Sequence, residues 1–261
     1  MKYLKLFLLG FLLCWMGNLQ AQKQDSVRVL WIGNSFTFVN DLPKMVQQIS
    51  ATQNIKLSCA RALEGGQKMA GHLKNKRLLQ MLKDGGWDYV VIQEQSTNPS
   101  MPTRRVVNEV YPFAKQLVEK AREGSPETKV VFYMTWGHKE GSQENVADYP
   151  LDDTYESMQD RLITSYLEMA NENDAWCAPV GMAWKKVRQE RPECVLYMQD
   201  MSHPSVKGSY LAANVLFTTL FQRHYQTDYV PEGVVEAEYL QQVAQHIVFD
   251  NLHLLNIEKG K

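Results

Sequence analysis

The chain has 261 residues, 44% hydrophobic and 22% charged, an ordinary globular balance far from the apolar-poor composition of a disordered chain. Its 28 basic and 29 acidic residues leave a formal net charge of −1. There is no basic surplus to attract a phosphate backbone, so a nucleic-acid partner is excluded from the reading.

In chain order, residues 1–21 differ in character from the rest. Met1-Lys2-Tyr3-Leu4-Lys5 is a short basic start, residues 6–16 are apolar, and Leu19-Gln20-Ala21 ends on a small residue. The apolar run is too short to span a bilayer comfortably, so residues 1–21 read as a signal peptide cleaved before Gln22, with the mature protein periplasmic or secreted. Cys14 raises a lipoprotein alternative, but Leu13 precedes it where lipoprotein processing wants a small residue. Without the leader, Cys59, Cys177 and Cys194 remain; an odd number leaves at least one thiol free.

Five short apolar runs bounded by turn residues read as strands: residues 27–32, 55–60, 89–92, 130–134 and 175–180. Pro179 lies in the last, which suits an edge position. Helical periods fall between them. Residues 43–52 follow Asp41 as cap, with Pro43 in the first turn. Residues 103–122 form a stripe of Val106, Val110, Phe113, Leu117 and Ala121 that Pro112 should kink or break. Tyr155, Met158, Leu162 and Met169 make another stripe. A helix capped by Ser205 carries Ala212, Leu216 and Leu220, and residues 236–251 close the chain. Strands alternating with helices predict a doubly wound α/β sandwich, and the absence of repeats or linkers predicts one domain over residues 22–261.

In such sheets ligands bind beyond the carboxyl ends of the strands. The first strand runs into Gly33-Asn34-Ser35-Phe36-Thr37, a turn that would lift a serine above the sheet. On its own this is also an ordinary capping turn. Far along the chain, Asp200-Met201-Ser202-His203-Pro204 sets a carboxylate and an imidazole three residues apart. Pro204 keeps His203 out of helical geometry. A serine hydroxyl needs a base beside it, and that base needs an acceptor to fix its tautomer; this one segment offers both. A metal pair or a solvated loop histidine is the bland reading of the same residues, and there is no HExxH to favour metal. Gly65-Gly66 follows the second strand without a phosphate-binding spacing. Trp136-Gly137-His138 follows the fourth strand and is a candidate pocket wall, the tryptophan offering a sugar-stacking face. His72, His224, His246 and His253 read as helix residues outside the site, and the methionines mostly as core.

The Gly33-Asn34-Ser35-Phe36-Thr37 block with Asp200-x-x-His203 resembles the SGNH/GDSL hydrolase superfamily. Gln93-Glu94-Gln95-Ser96 adds likeness to an exported bacterial subgroup. The resemblance implies a three-layer α/β/α sandwich around a mostly parallel, five-stranded, flavodoxin-like sheet, and a triad of Ser35, Asp200 and His203. It implies an oxyanion hole from the Ser35 amide, a glycine after the second strand (Gly66) and a side-chain amide after the third. The superfamily usually has Gly-x-Asn-Asp there, whereas this chain has Gln93-Glu94-Gln95-Ser96-Thr97-Asn98. Gln95 is the candidate, with Gln93 and Asn98 as alternatives. Glu94 is a structural acceptor or a site residue. No cofactor and no metal is implied. The implied activity is hydrolysis of esters, O-acetyl groups on an extracytoplasmic polysaccharide first among them. A lipid esterase or thioesterase is the alternative within the fold, and a catalytically silent glycan-binding protein the alternative outside enzymes. The expected partner is a small-molecule or glycan ester, with no membrane span once the leader is removed.

Overall fold

The computed structural model of the protein describes residues 26–142 and 149–257. The leader reading, residues 1–21, lies outside the described residues. Strand β1 (Val27–Gly33) has five consecutive buried residues from Val29 onward, the pattern of a strand covered on both faces. It pairs in parallel with β2 (Leu57–Leu63) on one side and β3 (Tyr89–Ile92) on the other; β4 (Lys129–Tyr133) and β5 (Trp176–Ala178) continue outward. The sheet order is β2-β1-β3-β4-β5, and every neighbouring pair is parallel. The fold class expected from sequence is therefore present, with a wholly parallel sheet.

Two strands differ from the sequence reading by more than a one-residue shift. β2 starts later and runs past Ala60 to Leu63; as an edge strand it leaves Ser58 and Arg61 exposed, which blurs the apolar signal. β5 is only three residues long: Pro179 leaves the strand and becomes the N-cap of the next helix.

The helices are α1 (Ser35–Phe38), α2 (Leu42–Thr52), α3 (Met69–His72), α4 (Lys76–Asp84), α5 (Thr103–Glu109), α6 (Tyr111–Gly124), α7 (Tyr155–Glu172), α8 (Val180–Glu190), α9 (Val206–Phe221) and α10 (Ala237–Phe249). α9 packs against α2, α8 and α10 in one layer, and α6 against α4, α5 and α7 in the other. Asp41 accepts from the Lys44 amide and caps α2 as expected. The stripe over 103–122 is two helices, with Val110 between them and Pro112 in the first turn of the second. α9 is buried from Gly208 to Leu220 rather than along one stripe, and its polar members are satisfied inside. Thr218 and Thr219 donate to carbonyls four residues back, and the Tyr225 hydroxyl donates to Asn214 Oδ1. α4 and α8 had no expectation from sequence; the buried face of α4 is narrow, Leu78 and Leu82 alone. Among the described residues no helix is long and apolar enough to cross a membrane.

The chain passes from β1 out to β2 and returns to β3 on the other side of β1. This reversal opens a crevice at the carboxyl ends of β1 and β3. Ser35 follows one of these ends and Gln93 the other.

Candidate active site

Ser35 begins α1 directly where β1 stops. Asn34 forms the turn: its Oδ1 accepts from the Phe36 amide at 3.1 Å and its Nδ2 donates to the Gln67 carbonyl at 3.0 Å. The buried Gln93 side chain braces the same turn, its Oε1 accepting from the Asn34 amide at 3.0 Å and the Thr37 hydroxyl at 2.9 Å. Gly33 makes room for that brace. A Cβ there would lie 2.6 Å from Gln93 Oε1 and 2.8 Å from Thr37 Oγ1, too close for any other residue. His72, fully buried on α3, donates from Nε2 to the Gly33 carbonyl at 3.0 Å; burial lowers its pKa and keeps the ring neutral. The Ser35 amide itself has no hydrogen-bond partner among the described residues.

Asp200 and His203 sit on a tight loop closed by an antiparallel bridge between Tyr197 and Pro204 and by the Met198 amide donating to the His203 carbonyl at 2.8 Å. Within it Asp200 Oδ1 accepts from the Ser202 and His203 amides at 3.0 and 2.9 Å. Oδ2 is then 2.5 Å from His203 Nδ1, and the far ring nitrogen, Nε2, is 2.8 Å from Ser35 Oγ. The three sequence-predicted residues thus form one continuous relay. Slight burial pushes the Asp200 carboxyl up, but the Ser202 amide, the His203 ring and the His203 amide together hold it below its ordinary value of 3.8. Ser205 follows and caps α9, its Oγ accepting from the Gly208 amide.

Beneath the relay lies an aromatic column. Phe36 meets the His203 ring edge-on at 5.3 Å, stacks on Trp136 at 4.9 Å, and Trp136 stacks on Trp184 at 3.9 Å. Trp136 is 0% exposed and its Nε1 donates to the Ser202 carbonyl at 3.0 Å. This corrects the reading of Trp136 as a pocket wall: it has no face left for a sugar and instead supports both halves of the triad. From the same segment only His138 reaches the site, with Nε2 3.0 Å from Ser96 Oγ and 3.4 Å from Ser202 Oγ.

Asn40 is a site residue that the sequence reading missed. It adopts left-handed φ (+57°), and its Nδ2 donates to the Pro204 carbonyl at 3.0 Å and to Ser209 Oγ at 2.9 Å, clamping the Ser35 segment to the His203 loop. Asn40-Asp41 before a helix is the only local signal, and nothing in it names a partner 164 residues away.

The third block divides cleanly. Gln93 Nε2 donates to the Glu94 carbonyl, and Asn98 Nδ2 donates to Glu94 Oε1 at 2.9 Å, so both alternative oxyanion donors are engaged within the fold. Gln95 Oε1 accepts from the Thr97 and Asn98 amides and the Thr97 hydroxyl, and no bond engages its Nε2 among the described residues. Glu94 is a structural acceptor, 2% exposed, holding the amides of Met69 and Gln95 as well as Asn98. Burial raises its pKa and those three donors oppose the rise. Gly66 has φ +65° on an exposed loop next to Gln67, whose carbonyl Asn34 holds. His224, His246 and His253 are exposed and away from these contacts, His224 and His253 beyond helix ends rather than within helices.

A scan against protein-family models finds no match, and neither does a search of curated proteins. Solved structures do match. A protein from Slackia heliotrinireducens assigned as an SGNH hydrolase is 27% identical, with 74% of this chain and 98% of that one covered and a TM-score of 0.59. A DUF4886 family protein from Bacteroides uniformis is 21% identical over 87% of this chain and 96% of its own, at a TM-score of 0.71. An acetylxylan esterase, Axe2 of Geobacillus stearothermophilus, is 13% identical over 80% and 100%, at 0.56. In fold, and in its 27% identical match covering nearly all of that protein, this chain is similar to SGNH/GDSL hydrolases.

Proposed function

We propose that the chain hydrolyses esters through a covalent acyl-enzyme formed on Ser35, with His203 as general base and Asp200 as its orienting acid. The observation that carries this reading is the relay Ser35 Oγ–His203 Nε2 at 2.8 Å and His203 Nδ1–Asp200 Oδ2 at 2.5 Å. With Nδ1–H donating to Asp200, Nε2 presents its lone pair to the hydroxyl. His203 takes the Ser35 proton as Oγ attacks the ester carbonyl, and the carbonyl oxygen becomes an oxyanion. His203 returns that proton to the departing alkoxide, leaving acyl-Ser35 and free alcohol. Water, deprotonated by the same imidazole, then attacks the acyl carbon and releases the carboxylic acid and Ser35. The Ser35 amide, the Gly66 amide and Gln95 Nε2 are the oxyanion donors of this scheme, each placed by the resemblance. The unengaged amides of Ser35 and Gln95 support two of them. One such donor contributes about 3 kcal/mol to the transition state.

The proposed substrate is a small acyl ester, an O-acetyl group above all, on an extracytoplasmic polysaccharide. The exposed setting of Asp200 and the half-exposed Ser35 and His203 support a site open to substituents of a larger chain. The basic, then apolar, start of the sequence supports export, and an acetylxylan esterase of the same fold supports the acyl group. The test compares wild type with Ser35→Ala on p-nitrophenyl acetate and on acetylated glycans. The reading expects turnover in the first and, in the second, a kcat reduced by about 10³-fold or more. Equal turnover by both proteins rejects it.

A further inference from the structure

A cavity of about 600 Å³ lies against the loop that carries Asp200 and His203, lined by Met198 and Met201 of the loop, Val195 and Tyr197 just before it, and Lys139 and Arg188 from other segments. Three apolar side chains in this lining face water: Val195 is 63% exposed, Met198 48% and Met201 40%. Met201 is held in left-handed φ (+60°), and its carbonyl accepts from the Lys139 amide at 2.8 Å, so the lysine is anchored to the cavity wall by its own backbone. Among the described residues the charges lining this cavity are of one sign: no Asp or Glu lines it, Lys139 makes no ion pair, and the Arg188 guanidinium lies over the Tyr155 and Tyr197 rings at 3.9 and 5.4 Å without a salt bridge.

Lys139 and Arg188 thus set two cations beside exposed methionine side chains, with no acidic group among the described lining residues. Flexible thioether side chains adapt to irregular apolar bodies, and an ammonium beside a stacked guanidinium attracts an anion. We propose that this cavity is a binding site for a small amphiphilic anion: a carboxylate or phosphate borne on an apolar body several carbons long. The anionic group sits between Lys139 and Arg188, and the apolar body lies along Met198, Met201 and Val195. Neither Ser35 nor His203 lines the cavity, and the claim holds whether or not Ser35 is a nucleophile.

Calorimetric titration with octanoate, octyl phosphate and octanol, each below its aggregation limit, tests the proposal on the mature chain. Octanoate or octyl phosphate should bind, whichever fits identifying the anion, while octanol binds much more weakly. Affinity should be unchanged in Ser35→Ala, which separates this site from the proposed catalytic one. Lys139→Glu should weaken binding by about tenfold or more, since a like charge replaces the partner, and leave turnover of p-nitrophenyl acetate intact. Lys139→Gln gives an intermediate loss. Binding of neither anion, equal binding of octanol, or full affinity in Lys139→Glu overturns the proposal.

Discussion

At the scale of single residues, the account depends on how one carboxylate is used. Asp200 gives one oxygen to two backbone amides and the other to the His203 ring, so it shapes the loop and fixes the tautomer together. Asp200→Asn keeps an oxygen for the amides but loses the charge facing Nδ1. We expect kcat on p-nitrophenyl acetate to fall by about 10²- to 10⁴-fold with little change in KM, as steady-state kinetics will show. The same residue predicts a pH effect on stability. Its folded pKa lies below the ordinary 3.8, so its contribution is complete above that unfolded-chain value and is lost as pH falls through the lower folded one. In thermal melts wild type should therefore exceed Asp200→Asn in Tm at about pH 7, and the gap should close by about pH 2. A gap that is constant across this range contradicts the charge argument. Ser35, Asp200 and His203 were legible in the sequence because nucleophile and base types at these positions carry their chemistry in their names. Asn40 was not legible, since its role is defined by a carbonyl 164 residues away.

At the scale of elements, loops rather than strands hold the site together, and they do so by satisfying buried polar groups. Glu94, at the end of β3, ties down the amides of Met69 and Gln95 and the side chain of Asn98. Glu94→Gln turns one acceptor oxygen into a donor facing another donor. It should cost about 1–3 kcal/mol in urea unfolding and, by loosening the loop that carries Gln95, lower kcat more than it raises KM. Trp136 gives a parallel case at the end of β4. Trp136→Ala removes the middle of the Phe36–Trp136–Trp184 stack and should cost about 3–5 kcal/mol; Trp136→Phe keeps the stack but loses the bond to the Ser202 carbonyl and should cost about 1 kcal/mol. The sequence located Trp136 at a strand end but could not tell an exposed indole from a buried one, because that depends on Phe36 and Trp184 arriving from other segments. It likewise offered Gln93, Gln95 and Asn98 together. Only the hydrogen bonds engaging two of their amides distinguish them.

At the scale of the whole molecule, the parallel sheet was readable because strands covered on both faces become nearly continuous apolar runs, as in β1, β3 and β4. β2 and the two unforeseen helices were harder to see. β2 is an edge strand with exposed polar residues among its apolar ones, and α4 buries too few residues to print a helical stripe. Cohesion is noncovalent among the described residues: Cys59, Cys177 and Cys194 are free thiols, Cys177 fully buried with its pKa pushed well up by burial. The urea midpoint should accordingly be the same with and without reductant. Iodoacetamide should modify half-buried Cys59 slowly, because burial pushes its thiol pKa up, and Cys177 only on unfolding, as peptide mass mapping will report.

The central claim is that a hydroxyl after the first strand is activated by an imidazole 168 residues later. The most direct test is exposure of the protein to a fluorophosphonate, followed by peptide mass mapping. The account predicts one modified site, Ser35, with labelling abolished in Ser35→Ala and strongly slowed in His203→Ala. Labelling at another residue, or undiminished labelling in His203→Ala, would contradict it.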